Sequence, residues 1–119
     1  MIRAAPWLSL AMLLIASPAF AHALLERAEP PVGSEITAPP HQVTLRFTEG
    51  VEPVFSSIEI HDAQGALVPI GKPHTVPGND RTLVVDLPDL RAGRYTVTWH
   101  VTSVDTHKTE GSFQFSVIH

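Results

Sequence analysis

Cysteine is absent from the 119-residue sequence, and methionine occurs only at Met1 and Met12. The absence of cysteine excludes disulfide bonds, a thiolate metal site and a cysteine nucleophile. No apolar run reaches the roughly 20 residues that a membrane-spanning helix needs. The formal net charge is −4, so the chain lacks the basic surface that nucleic acids and anionic lipids attract. We therefore expect no nucleic-acid partner and no membrane insertion of the folded domain.

Residues 1–21 have the pattern of a signal peptide that is removed on export. One positive charge at Arg3 precedes an apolar run from Trp7 to Ile15, and Ala19-Phe20-Ala21 supplies a small-x-small cleavage site. The sequence therefore predicts an exported protein.

Cleavage after Ala21 defines a single domain of residues 22–119, which begins with His22 and contains no sulfur. The absence of thioether and thiolate groups argues against a soft-metal site of the kind that holds Cu(I). The overlapping pattern Ala21-His22-Ala23 permits cleavage after Ala23 instead, and that cleavage would remove His22.

Alternation of apolar and polar residues with a period of two dominates the remaining chain, which is typical of half-buried strands. The clearest example runs from Arg94 to Thr102. With turn-forming Pro, Gly, Asn and Asp between the segments, this spacing predicts an all-β, immunoglobulin-like Greek-key β-sandwich of about seven strands. A tyrosine corner is expected at Tyr95, with its hydroxyl bonded to upstream backbone. The other predicted strands are 43–48, 57–61, 66–70, 82–87, 112–117 and a segment around Leu24 and Leu25.

A histidine at the start of a mature chain can bind one metal ion through both its α-amine and its imidazole. Asp105 and His107 offer a carboxylate and a second imidazole at positions i and i+2, which lie on the same side of an extended backbone. Two imidazoles, one amine and one carboxylate favour tetragonal Cu(II), with Ni(II) also compatible, whereas Zn²⁺ prefers a tetrahedral site. The candidate metal ligands are thus His22, Asp105 and His107. The remaining histidines are predicted to be surface residues: His41, His61, His74, His100 and His119.

Several segments together resemble the CopC family of periplasmic copper-binding proteins. The resemblance covers residues 22–119. It is carried by the start His22-Ala-Leu-Leu, by Leu90 to Trp99, by Ser103-Val-Asp105-Thr-His107-Lys-Thr-Glu-Gly111, and by Phe113-x-Phe115-x-Val117.

The resemblance implies a non-enzymatic periplasmic sandwich that holds one Cu(II) ion at one end and acts in copper resistance or homeostasis. By position, His22 supplies an amine and an imidazole, Asp105 a carboxylate and His107 the second imidazole. Glu49 matches a family glutamate near the site, as an outer-shell or weak ligand.

Two features of some relatives are missing from this sequence. A methionine-rich loop for Cu(I) is absent, and residues 66–80 carry Pro69, Pro73 and Pro77 instead. Some relatives are fused to, or work with, a CopD-type membrane protein that moves copper inward. Here we expect a separate inner-membrane transporter chain.

Two other functions are compatible with the residues. A terminal histidine that chelates copper also resembles the histidine brace of polysaccharide monooxygenases, although those enzymes need a broad substrate surface. The second function is that of a metal-free sandwich for adhesion or assembly, in which Asp105-Thr106-His107 is only a loop.

Overall fold

The computed structural model describes residues 22–118, so the predicted signal peptide and His119 lie outside the described residues. Two four-stranded sheets pack face to face, with strand orders β1-β3-β6-β5 and β2-β8-β7-β4. A short 3₁₀ helix at Pro53–Phe55 precedes β4. The predicted all-β sandwich is confirmed. The strands are β1 Leu25–Glu29, β2 Glu35–Ile36, β3 Gln42–Phe47, β4 Ser57–His61, β5 His74–Val76, β6 Asn79–Asp86, β7 Gly93–Thr102 and β8 Lys108–Val117.

The core lies between the two sheets and is made of the apolar residues that alternate along each long strand. Phe47 meets Trp99 edge to face at 5.2 Å between ring centroids, and Tyr95 stacks on Phe115 at 5.5 Å. Burial of these side chains supplies most of the stabilisation, because apolar area removed from water contributes roughly 25 cal/mol per Å². The buried core side chains of the long strands include Val43, Leu45, Phe47, Leu83, Val85, Tyr95, Val97, Trp99, Val101, Phe113, Phe115 and Val117.

The predicted tyrosine corner is confirmed. Tyr95 Oη donates a 2.7 Å hydrogen bond to the carbonyl oxygen of Arg91. This bond fixes the chain where it enters β7, the strand that leads to the candidate ligands. No helix within residues 22–118 has the length and apolar character to cross a membrane.

The strand predicted at residues 66–70 is wrong. Only Leu67 pairs there, through an isolated bridge to His61, since Pro69 has no N–H to donate and interrupts any ladder. The sequence also misses β2 and β5, which gives eight strands in the described part of the chain. Both are edge strands of two or three residues, too short for an alternating pattern to be visible.

Candidate metal centre

A tight turn joins β7 to β8 and carries Asp105 and His107. The strands pair in register as far as Thr102 and Lys108. Beyond that pair, Ser103 N–H donates to His107 O at 2.8 Å, and Thr106 N–H donates to Ser103 O at 2.8 Å. Thr106 closes the loop with a φ of 75°, the left-handed conformation that three-residue hairpin loops require at their last position.

This turn corrects the expected backbone geometry of the ligand pair. Asp105 and His107 do not share one side of an extended segment, because Asp105 lies within the turn and Thr106 has reversed the chain direction. The two side chains nevertheless meet, with Asp105 Oδ1 3.2 Å from His107 Nδ1. The hairpin, rather than strand alternation, brings the carboxylate to the imidazole.

Ser103 and His107 both act on the charge of Asp105. Hydrogen bonding from the Ser103 hydroxyl, followed by that from His107, lowers the pKa of the Asp105 carboxyl, against a smaller opposing effect of desolvation. The side chains of His107 and Asp105 are 40% and 42% exposed. Asp105 is therefore a carboxylate throughout the neutral range and stays accessible to a metal ion.

His22 is held on the sandwich by hydroxyl groups from both sheets. Thr48 Oγ1 donates to His22 O at 3.1 Å and accepts from Leu24 N–H at 3.0 Å. Thr109 Oγ1 donates to Ala23 O at 2.7 Å, and Ala23 is fully buried. The segment that precedes β1 is thus fixed between the end of β3 and the start of β8.

This arrangement brings the first candidate ligand to the other two. The rings of His22 and His107 lie 5.4 Å apart between centroids, at an interplanar angle of 68°. His22, His107 and Asp105 therefore form a chain of neighbours at one end of the sandwich. Within residues 22–118, no group of three or more His, Asp or Glu side chains is close enough to form a complete metal site by itself. The terminal amine would be an additional donor, and it exists only when residue 22 begins the chain.

The remaining candidates fall into two groups. Glu49 is half-buried directly after Thr48, at the same end of the molecule. The other described histidines are exposed or half-buried elsewhere, and one of them, His100, pairs across the strands with Glu110 at 3.2 Å.

Sequence reasoning missed Thr48, Ser103 and Thr109, because a hydroxyl near a strand end has no distinctive pattern. The placement of Ser103 two residues before Asp105 was the only available signal.

A family model described as CopC domain matches residues 25–118. The matched range contains all eight described strands together with Asp105 and His107, and His22 lies just before it. This match identifies one family among the proteins that share a β-sandwich fold. The chain belongs to the CopC family.

Two curated relatives illustrate the range of the family. Protein YobA of Escherichia coli (strain K12) is 39% identical over 105 residues, which cover 87% of this chain and 85% of YobA. Copper transport protein CutJ of Bacillus subtilis (strain 168) is 31% identical over 114 residues, which cover 93% of this chain and 21% of CutJ. The chain is thus similar both to a protein of its own size and to one part of a much longer copper transport protein.

Two solved structures share the fold. CopC from Methylosinus trichosporium OB3b matches with a TM-score of 0.76 at 39% identity, over 81% of this chain and 93% of that chain. PcoC from Escherichia coli, a methionine-rich copper resistance protein, matches with a TM-score of 0.73 at 27% identity, over 82% of this chain and 100% of that chain. Unlike PcoC, this chain has only two methionines, and both lie in residues 1–21.

Proposed function

We propose that this chain is an exported periplasmic protein that binds one Cu(II) ion and serves as a carrier or buffer in copper resistance and homeostasis. The observation that carries the proposal is the convergence of His22, His107 and Asp105 at one end of the sandwich. In this account copper is the cargo, and the protein performs no catalysis. The ligands are the α-amine and imidazole of His22, the carboxylate of Asp105 and the imidazole of His107.

The spacing of the ligand atoms supports a shared ion. Two metal–ligand bonds of about 2.0 Å can reach donor atoms up to about 4 Å apart. Asp105 Oδ1 and His107 Nδ1 are separated by 3.2 Å, so one ion can bind both atoms. Cu(II) binds only the deprotonated forms of the amine, imidazole and carboxylate groups, so its binding releases protons and weakens as the pH falls.

The type of donor atom supports the oxidation state. Residues 22–119 contain neither cysteine nor methionine, and the soft ligands that favour Cu(I) are therefore missing. A set of three nitrogens and one carboxylate oxygen suits Cu(II) in a tetragonal geometry. We infer a single Cu(II) site and no second site for Cu(I).

Burial of Ala23 supports cleavage after Ala21. Ala23 is fully buried and its carbonyl accepts the bond from Thr109, so residues 22–24 belong to the folded domain. Cleavage after Ala23 would delete this contact together with the first ligand. The intact mass of the protein recovered from the periplasm tests this point: a chain that starts at His22 is expected, and one that starts at Leu24 would refute the ligand set.

A separate inner-membrane transporter of the CopD type is the proposed recipient of the copper. The match to CutJ, of which this chain resembles 21%, supports a functional link between such a domain and copper transport. Partial exposure of Asp105 and His107 leaves the ion open to attack by an incoming ligand. Copper uptake should therefore depend both on the gene for the transporter and on the gene for this chain. Uptake that is unchanged when the gene for this chain is deleted would favour a buffering role alone.

A further inference from the structure

The buried hydroxyl of Ser103 lies between the two proposed ligands of the β7–β8 turn. Ser103 is 0% exposed. Its Oγ contacts Asp105 Oδ1 at hydrogen-bond distance and lies 3.2 Å from the backbone nitrogen of His107. One side chain thus touches the carboxylate of one ligand and the main chain of the other.

The available protons determine the direction of these bonds. The His107 N–H donates to Ser103 Oγ, which leaves the hydroxyl proton for an acceptor. The carbonyl of His107 lies 3.2 Å from Ser103 Oγ, but it already accepts the 2.8 Å bond from Ser103 N–H. An ionised carboxylate is the stronger acceptor. The hydroxyl proton therefore points at Asp105.

Packing does not hold the Asp105 side chain, because 42% of it is exposed. Among residues 22–118, its carboxylate is hydrogen-bonded by Ser103 and His107. We infer that Ser103 is a positioning residue, which holds the Asp105 carboxylate beside the His107 imidazole at ligand spacing before Cu(II) arrives. This inference rests on the proposed function. Without the hydroxyl, part of the binding energy would be spent on ordering the carboxylate.

The test compares three variants of the mature protein with wild type in a Cu(II) competition titration. Ser103→Ala is expected to bind Cu(II) about 10–100-fold more weakly, the usual effect of removing an outer-shell partner of a metal ligand. Ser103→Thr keeps the hydroxyl, and its loss of affinity is expected to stay below the roughly tenfold that marks removal of an outer-shell partner. The Cu(II) electron paramagnetic resonance spectrum should change in Ser103→Ala, because the carboxylate is no longer fixed in one orientation toward the ion, and should be wild-type in Ser103→Thr.

Ser56→Ala is the matched control. Ser56 is also buried at the same end of the sandwich, but its hydroxyl donates to Glu52 O at 2.7 Å and accepts from Thr102 N–H at 3.2 Å. The Ser56→Ala variant should have a lower thermal stability and an unchanged Cu(II) spectrum. Equal losses of affinity in Ser103→Ala and Ser56→Ala would reduce Ser103 to a general structural role and overturn the inference.

The remaining outcomes separate the inference from the proposed function. Wild-type affinity in a folded Ser103→Ala overturns the positioning role and leaves the copper site intact. If Ser103→Ala fails to fold, a folded Ser103→Thr that has lost tenfold or more of the affinity overturns it instead. Failure of the wild-type protein to bind Cu(II) removes the proposed function and this inference together.

Discussion

The imidazole rings of His22 and His107 lie 5.4 Å apart, although one residue precedes the first strand and the other precedes the last strand of the described chain. The contact depends on two attachments. Thr48 and Thr109 bind the backbone around His22, and the β7–β8 hairpin places His107 directly before β8. A metal site that joins the two histidines would therefore also join the N-terminal segment to both sheets.

Loss of either histidine should remove copper binding selectively. His22→Ala or His107→Ala deletes a proposed direct ligand, and the expected drop in Cu(II) affinity exceeds the roughly 10–100-fold loss from an outer-shell change. Isothermal titration with a competing chelator measures it. His41→Ala is the matched control, because His41 is exposed and precedes β3 at the strand end remote from Thr48. Similar losses in all three variants would indicate nonspecific binding by surface histidines.

The Thr48 hydroxyl should affect the Cu(II) affinity without binding the ion itself. Thr48→Val keeps the shape of the side chain and removes both the donor to His22 O and the acceptor for Leu24 N–H. We expect about a tenfold loss of Cu(II) affinity and faster amide hydrogen exchange at Leu24. Thr44→Val, at a half-buried threonine within β3, should leave both quantities unchanged. An unaltered exchange rate at Leu24 in Thr48→Val would show that the Thr48 hydroxyl does not hold the segment.

Long strands could be predicted from the sequence because each has one face against the core. β4 matches its predicted bounds, and β3, β7 and β8 differ from theirs by one to a few residues. The edge strands β2 and β5 could not be predicted, since two or three residues pairing at an edge do not need an inward apolar face. The segment 66–70 shows the converse error, because Pro69 interrupts its apolar residues and only the bridge from Leu67 to His61 forms.

The identity of the candidate ligands could be predicted, but their arrangement could not. The types and order of His22, Asp105 and His107 are visible in the sequence. Their approach depends on the turn conformation at Thr106 and on hydroxyl contacts from Thr48, Ser103 and Thr109, which are distant in sequence from the groups they hold or carry no pattern. Backbone geometry of this kind is set by tertiary pairing rather than by local periodicity.

Thr106 should be replaceable by glycine with a gain in stability. Its φ of 75° is unfavourable for a β-branched residue, with a cost of about 1–3 kcal/mol, part of which the greater unfolded-state freedom of glycine would offset. Thr106→Gly should therefore raise the free energy of unfolding of the metal-free protein by about 1 kcal/mol. Thermal or denaturant unfolding measures this gain. Thr98→Gly, within β7, should be destabilising instead, and destabilisation by Thr106→Gly would contradict the conformation described for the turn.

Asp105 should titrate below the ordinary aspartate range near 3.9 in the metal-free protein. The Ser103 hydroxyl is the larger cause of the lowered pKa and His107 the next, so Ser103→Ala should shift the pKa of Asp105 upward. Because folding lowers this pKa, the stabilisation from Asp105 is present above the unfolded-state pKa and is lost as the pH falls through the folded-state pKa. Carboxyl ¹³C chemical shifts recorded against pH provide the measurement. An Asp105 pKa at or above the ordinary value in the wild-type protein would contradict the contact with Ser103.

The most direct test of the account is a Cu(II) titration, followed by electron paramagnetic resonance, of two proteins that differ by one residue. One begins at His22 and the other carries a single glycine before it, which converts the α-amine into an amide and leaves every side chain in place. We expect one tightly bound Cu(II) per molecule in the first protein. In the second protein the affinity should fall by at least about tenfold, equivalent to about 1.4 kcal/mol or more, and the spectrum should change. Equal affinities and identical spectra would contradict the claim that the mature N-terminus is a copper ligand.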